Sequence, residues 1–224
     1  MQTQKKLAII LHELESHAPF TLFGAFTGIV SMLLFKNLEH EMSRRIFYVF
    51  HPGHVFLSAI VISSMFQFHT KRSKTIFVLL VGFFGSLGIG TLSDSLIPYV
   101  GEMLLGMRIE THAHEHAGFA EQVHIGFIEG WYIVIPAAIA GVLIALFKPR
   151  TKVPHAGHVL LSTWASSFHM LMAMGGQITI LKAVGSFGFL FLAVLLPCCF
   201  SDIVFPLLFV KTPDDLSHIH HHHH

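Results

Sequence analysis

Six stretches of this chain contain no Asp, Glu, Lys or Arg: Ala18–Phe35, Val55–Phe68, Thr75–Ser93, Trp131–Phe147, Ala156–Leu181 and Ala183–Ser201. A helix needs roughly 20 mostly apolar residues to cross a bilayer, and most of these runs approach that length. The second is short alone and becomes long enough when His51–His54 also lie at membrane depth. Charged residues make up 12% of the chain, about half of what clothes an ordinary soluble domain. The chain therefore reads as a membrane protein. Its net charge of +1 and lack of a basic block give no sign of a nucleic-acid partner.

Lysine and arginine placement sets the orientation. With the N-terminus in the cytoplasm, nine basic residues fall inside (Lys5, Lys6, Lys71, Arg72, Lys74, Lys148, Arg150, Lys152, Lys211) and five outside (Lys36, Arg44, Arg45, Arg108, Lys182). Both termini are expected in the cytoplasm. Residues 1–17 read as an interfacial helix that enters the first span at Pro19. The adjacent Cys198 and Cys199 do not form a spaced disulfide framework. His220–His224 read as an expression tag, and the remaining histidines still equal the 14 lysines plus arginines.

An internal repeat organises the rest. His51-Pro-Gly-His-Val-Phe-Leu-Ser58 matches His155-Ala-Gly-His-Val-Leu-Leu-Ser162 at six of eight positions. Ser93-Asp94 with Pro98 recurs as Ser201-Asp202 with Pro206, at nearly the same distance downstream. Each half holds three spans in the same order. Because three is odd, the second half enters from the opposite side, an inverted repeat of the kind many transporters use. The expected fold is an all-α polytopic membrane protein of about six transmembrane helices. They form two inverted three-helix repeats, the third helix of each broken at Ser-Asp-x-x-x-Pro. Residues 1–110 make the first repeat with its interfacial helix. Residues 111–130 form a His/Glu-bearing extracytoplasmic loop, and 131–219 the second repeat.

Helical spacing places His51, His54 and Ser58 on one polar stripe, and His155, His158 and Ser162 on its counterpart. His169 extends the second stripe. Imidazoles at this spacing can chelate Zn, Fe, Ni or Co ions. Both pairs read as lying near a helix N-terminus, where the macrodipole disfavours cations, so a carboxylate has to offset it. Asp94 and Asp202 supply one each. An ionisable group between apolar stretches is expensive in a membrane and marks function. A proline four residues later clashes with the aspartate's own carbonyl, which predicts a broken helix beside each carboxylate. The candidate metal residues are therefore His51, His54, Asp94, His155, His158 and Asp202. Around them stand secondary polar positions: Glu13, Glu15, His17, Ser58, Ser93, Glu129, Ser162, His169, Cys198 and Ser201. The loop histidines His112, His114 and His116 are candidates for capture or release of metal outside. The glycines at 82, 85, 88 and 90 are explained by close helix packing.

These residues bear a resemblance. His-Glu-Leu-Glu-Ser-His-Ala-Pro (12–19), His-Pro-Gly-His-Val (51–55), Pro-His-Ala-Gly-His-Val-Leu-Leu-Ser (154–162) and Pro-Cys-Cys-Phe-Ser-Asp-Ile-Val-Phe-Pro-Leu-Leu (197–208) resemble a bacterial membrane family described as heavy-metal exporters. The likeness covers most of the chain. It implies metal efflux across the bacterial inner membrane, with the His-x-Gly-His, Ser-Asp and Cys-Cys positions as the pathway. The expected function is divalent metal transport by alternating access, with proton coupling, in the lipid bilayer and with room for a homodimer. Two other readings use the same residues. One is an intramembrane zinc hydrolase built on a metal-bound water. The other is a haem-binding electron carrier with axial histidines.

Overall fold

Helices form over the apolar runs, and several begin before the runs do. A computed structural model of the chain describes residues 2–69, 75–107, 124–149, 152–174 and 178–199, without the side chains of 2–14, 16, 17, 69, 152–155, 198 and 199. The architecture is all-α. Helix α1 spans Gln2–Leu34, α2 His40–His69 and α3 Thr75–Thr91, which continues through a π-helical turn, Leu92–Leu96, into α4, Ile97–Leu104. After Ile125 come a short α5, Gly126–Glu129, then α6, Trp131–Phe147, α7, Lys152–Ala173, and α8, Ile180–Cys199.

Three helical stretches are long and apolar enough to cross a membrane: His40–Phe68, Thr75–Leu104 and Ile180–Pro197. Ala18–Leu34 and Trp131–Phe147 are shorter apolar helices. The span in α2 is 61% buried, against 28% and 33% for the other two, which makes α2 the central helix. It packs on α7, α6 and α3, while α1 lies against α8 and α7, and α4 against α8 and α7. A rise of about 1.5 Å per residue makes a 30-residue helix about 45 Å long, longer than the roughly 30 Å hydrocarbon core. Such a helix is too long to lie wholly within that core if it runs along the membrane normal, and its charged residues Glu41, Arg44 and Arg45 are gathered in its first turns.

Apolar side chains cover the outside as well as the inside. Phe23, Phe26, Phe84, Leu143 and Phe147 are exposed, as suits a lipid-facing surface. Trp131 and Tyr132, exposed at the start of α6, match the aromatic belt of a membrane interface. Between helices, small and polar residues do the joining. Trp164 donates to Thr27 Oγ1 (3.3 Å), Ser31 and Ser167 hydroxyls meet at 3.2 Å, and Gln67 donates to the Ala145 carbonyl (3.0 Å). Gly141 permits the α2–α6 approach, since a Cβ there would meet the Phe56 carbonyl and lie 2.8 Å from Ala59 Cβ.

Residues 2–34 form one helix that runs through Pro19 without a break. Two expectations need correction. Helix α7 closes at Ala173 and α8 opens at Ile180, inside the run expected to continue to Leu181. The helix carrying Asp94 is not broken. It absorbs Pro98 through the π turn, in which the Ile97 N–H bonds the Leu92 carbonyl five residues back.

Candidate functional site

The π turn creates the site. One extra residue per turn widens the helix locally, a feature frequent at functional sites, and here Ser93, Asp94 and Ser95 are all buried. Pro98 sits in the first turn of α4, where its missing N–H leaves no helical donor orphaned.

Asp94 then gathers four donors from three elements. His51 and His54 on α2 each donate an Nδ1–H to Oδ2, both at 2.8 Å. Ser93 donates to Oδ1 at 2.7 Å, and Ser162 from α7 donates to the same oxygen at 2.9 Å. The carboxylate is fully buried, and charge-assisted hydrogen bonds of this kind are what make a buried charge tolerable. Ser166 of α7 donates to the Ser93 carbonyl (2.9 Å), so α7 also braces the turn's backbone.

These bonds fix the imidazole chemistry. With the Nδ1 atoms donating to the carboxylate, each Nε2 is left as the free lone-pair face, the same arrangement that prepares histidines for metals. The Nε2 atoms of His51 and His54 are buried and have no hydrogen-bond partner among the described residues. The His158 ring lies over that of His54 at 5.8 Å with an interplanar angle of 9°. Phe47 stacks on His51 at 5.1 Å and 10°. Gly126 closes the other side, because a Cβ there would overlap the His51 ring.

Of the sequence candidates, the structure thus joins His51, His54, Ser93, Asp94 and Ser162, with His158 stacked beside them. Ser58 is buried, and its Oγ has no partner among the described residues. His155 and Cys198 lie on α7 and α8, but their side chains are outside the described ones, as are those of Glu13 and His17 on α1; Glu15 is exposed. Ser201, Asp202, His112, His114 and His116 lie outside the described residues. The helix-terminus objection falls for one pair: α2 begins at His40, so His51 and His54 are well inside it. His155 and His158 remain near the start of α7. Among the described residues, no group of three or more His, Cys, Asp and Glu side chains is arranged to hold a metal ion.

His169 and Glu129 belong to a second, outer cluster. His169 Nδ1 bonds Glu102 Oε1 at 2.7 Å, both buried. Glu129 accepts from Tyr48 Oη (2.8 Å) and His124 Nδ1 (3.2 Å), with an Arg44 guanidinium nitrogen 3.8 Å away. Glu102, Tyr48, Arg44 and Phe47 were not legible as site residues. A signal for Glu102 existed: a lone acid in the apolar residues that continue past Asp94. Searches against protein families, curated proteins and solved structures return no match to this chain.

Partial burial alone would raise the Glu129 pKa, but the His124 and Tyr48 hydrogen bonds and the Arg44 charge outweigh it and hold the carboxyl below its ordinary 4.5. A depressed carboxyl stabilises the fold above its unfolded pKa, and that contribution disappears as pH falls through the lower folded value. Glu129→Gln is therefore expected to melt below wild type at neutral pH, with the two curves converging once pH drops under 4.5. Thermal unfolding in detergent as a function of pH checks this. A gap that persists at low pH would mean that Glu129 acts through packing, not charge.

Proposed function

We propose that this chain is a polytopic membrane transporter of divalent transition-metal ions. The observation that carries the reading is the pair of buried, unpartnered Nε2 atoms on His51 and His54, oriented by a common carboxylate at a helix defect. An irregular turn beside an intramembrane carboxylate is a recurrent transporter feature. The two imidazole nitrogens are the donors this reading assigns to the ion, and so few protein ligands would suit an ion that has to leave again. By the sequence repeat, Asp202 and Cys198 are the residues to complete it from the second half, together with water. Zn, Fe, Ni and Co ions all suit imidazole and carboxylate ligands.

In this reading six helices cross the membrane as two inverted three-helix repeats, with both termini in the cytoplasm of a bacterial cell. The near-parallel stack of His54 on His158, equivalent positions of the two motifs on neighbouring helices, supports such a pseudo-two-fold relation. Alternating access would rock one repeat against the other around this point, and the family resemblance makes efflux the expected direction.

The test uses proteoliposomes of the chain lacking His220–His224, since five terminal histidines bind metal themselves. A trapped metal-sensitive dye should report Zn or Co entry that a His51→Ala/His54→Ala variant reduces on the order of a hundredfold. Intact, folded protein with no flux of any tested metal would overturn the proposal. A tightly held stoichiometric metal without flux would instead favour the intramembrane hydrolase.

A further inference from the structure

The outer cluster leads inward. Glu129 and His124 are 19% and 16% exposed, while His169 and Glu102 retain 1% and 3%. The His124 ring stands edge-to-face on His169 at 6.1 Å, which places an imidazole between the partly exposed carboxylate and the buried pair. His124 is also the one non-glycine residue with positive φ (49°) among those described. A bulky residue there is strained and is kept only where its surroundings enforce it. Here its side chain is held by Glu129 and its carbonyl by Ser95 Oγ (3.1 Å).

Glu102 has no place in the Asp94 cluster, yet it is an acid buried on an apolar helix. Such groups are uncommon in membranes without a task. The Phe47 ring separates the two clusters, stacked on His51 at 5.1 Å and edge-on to His169 at 5.6 Å. We infer that Glu102 and His169 form a proton-exchange site, distinct from the central cluster and reached from the side that carries His124 and Glu129. Its ligand is the proton. A hydronium ion at Glu129 gives up one proton, leaving water, and His124 hands that proton on to the pair. Uptake of one proton raises the net charge of the pair by one. Release runs the same steps backwards.

Titratable and charged groups surround the pair on several elements. From α2 come His40, whose ring is 5.8 Å from that of His124, then Arg44 and Tyr48 on Glu129, and His51 behind Phe47. The turn before α5 brings His124, and α5 itself Glu129. The described titratable side chain of α8 is Lys182, in its first turn. α1 carries Glu15 toward its other end, while Phe35 and then Lys36 follow its last turn, Phe35 packing on Phe168. Charge at the pair is felt across one aromatic ring by the Asp94 cluster. At such separations and an intermediate dielectric, one charge changes the affinity for another by on the order of tenfold. Proton uptake here would therefore weaken cation retention at the central cluster, a coupling that rests on the transport reading above.

Two measurements on the full chain in liposomes test this. Infrared difference spectra between acid and neutral pH should contain carboxyl and imidazole bands that Glu102→Gln removes and His169→Asn shifts. Glutamine still accepts from His169 Nδ1, so this variant keeps the local hydrogen bond. His124→Ala should slow the same spectral change on the order of tenfold after a pH jump. Unaltered spectra in Glu102→Gln would overturn the inference. In flux assays Glu102→Gln should retain metal exchange without a gradient, while accumulation driven by a pH gradient falls on the order of tenfold. Gradient-driven accumulation equal to wild type would also overturn it. If the spectral bands behave as stated and no form of the protein moves metal, the exchange site stands and the transport reading falls.

Discussion

Asp94→Asn is expected to abolish metal binding and to destabilise the fold by about 3–5 kcal/mol, the range for removing one partner of a buried charged network. The reason is local. An amide in place of the carboxylate keeps one acceptor and turns the other into a donor. If its oxygen keeps the two serine hydroxyls, its NH2 faces the Nδ1–H groups of His51 and His54, which now bond Oδ2 at 2.8 Å each. Both rings must then move their proton to Nε2, the atom proposed to face the ion. If the amide flips, Ser93 and Ser162 lose their acceptor instead. Denaturant unfolding and metal titration of the tag-free chain measure the two effects separately. The repeat makes a companion claim: Asp202→Asn should weaken binding by a similar order. If Asp94 alone matters, the site lies in one half. If neither does, the aspartates are structural caps and the metal-site proposal is wrong.

The second large effect is expected at a residue with no chemistry of its own. Alanine at Gly126 places a methyl group on the His51 ring, overlapping Cδ2 and Nε2 and lying 3.1 Å from Cγ. The ring is pinned by Asp94 on one edge and by Phe47 across its face, so it has nowhere to retreat. Overpacking of this kind costs roughly 1–3 kcal/mol, and tilting His51 off Asp94 should lower metal affinity tenfold or more. Gly88→Ala is the control. It meets nothing within 4 Å and should be neutral or slightly stabilising, because a helical glycine surrenders chain entropy that alanine does not. Equal metal affinity in the two variants would show that His51 does not need its present position.

What was readable from sequence follows from the cost of polar groups in apolar runs. Asp94 stood out because it interrupts one, and His51 and His54 because their spacing recurs at His155 and His158. The start of α2 was hidden for the opposite reason: Glu41, Arg44 and Arg45 lie inside the helix, so a search for charge-free runs could not reach back to His40. The proline beside Asp94 signalled a disturbed helix, but not its form, because one inserted residue resolves the clash as well as a break does. Glu102 and His169 are 67 residues apart. Nothing in either half pairs them, and only the docking of α4 on α7 brings them together.

The polar seam of α7 has a further consequence, for synthesis. Its inward face carries His158, Ser162, Thr163, Ser166, Ser167 and His169, all buried. At 22 residues the helix is long enough to cross a bilayer, yet it is not among the three apolar enough to do so by composition. A helix of this kind gains little from lipid alone, since each polar side chain at its centre opposes insertion. If α7 crosses the membrane, it enters against a partner that accepts its hydroxyls and rings. The surface that does so in the fold is α2 with the Asp94 turn, which precedes α7 in the chain and is synthesised before it. The groups that form the site would then also serve as the landing surface on which the second half of the protein is assembled.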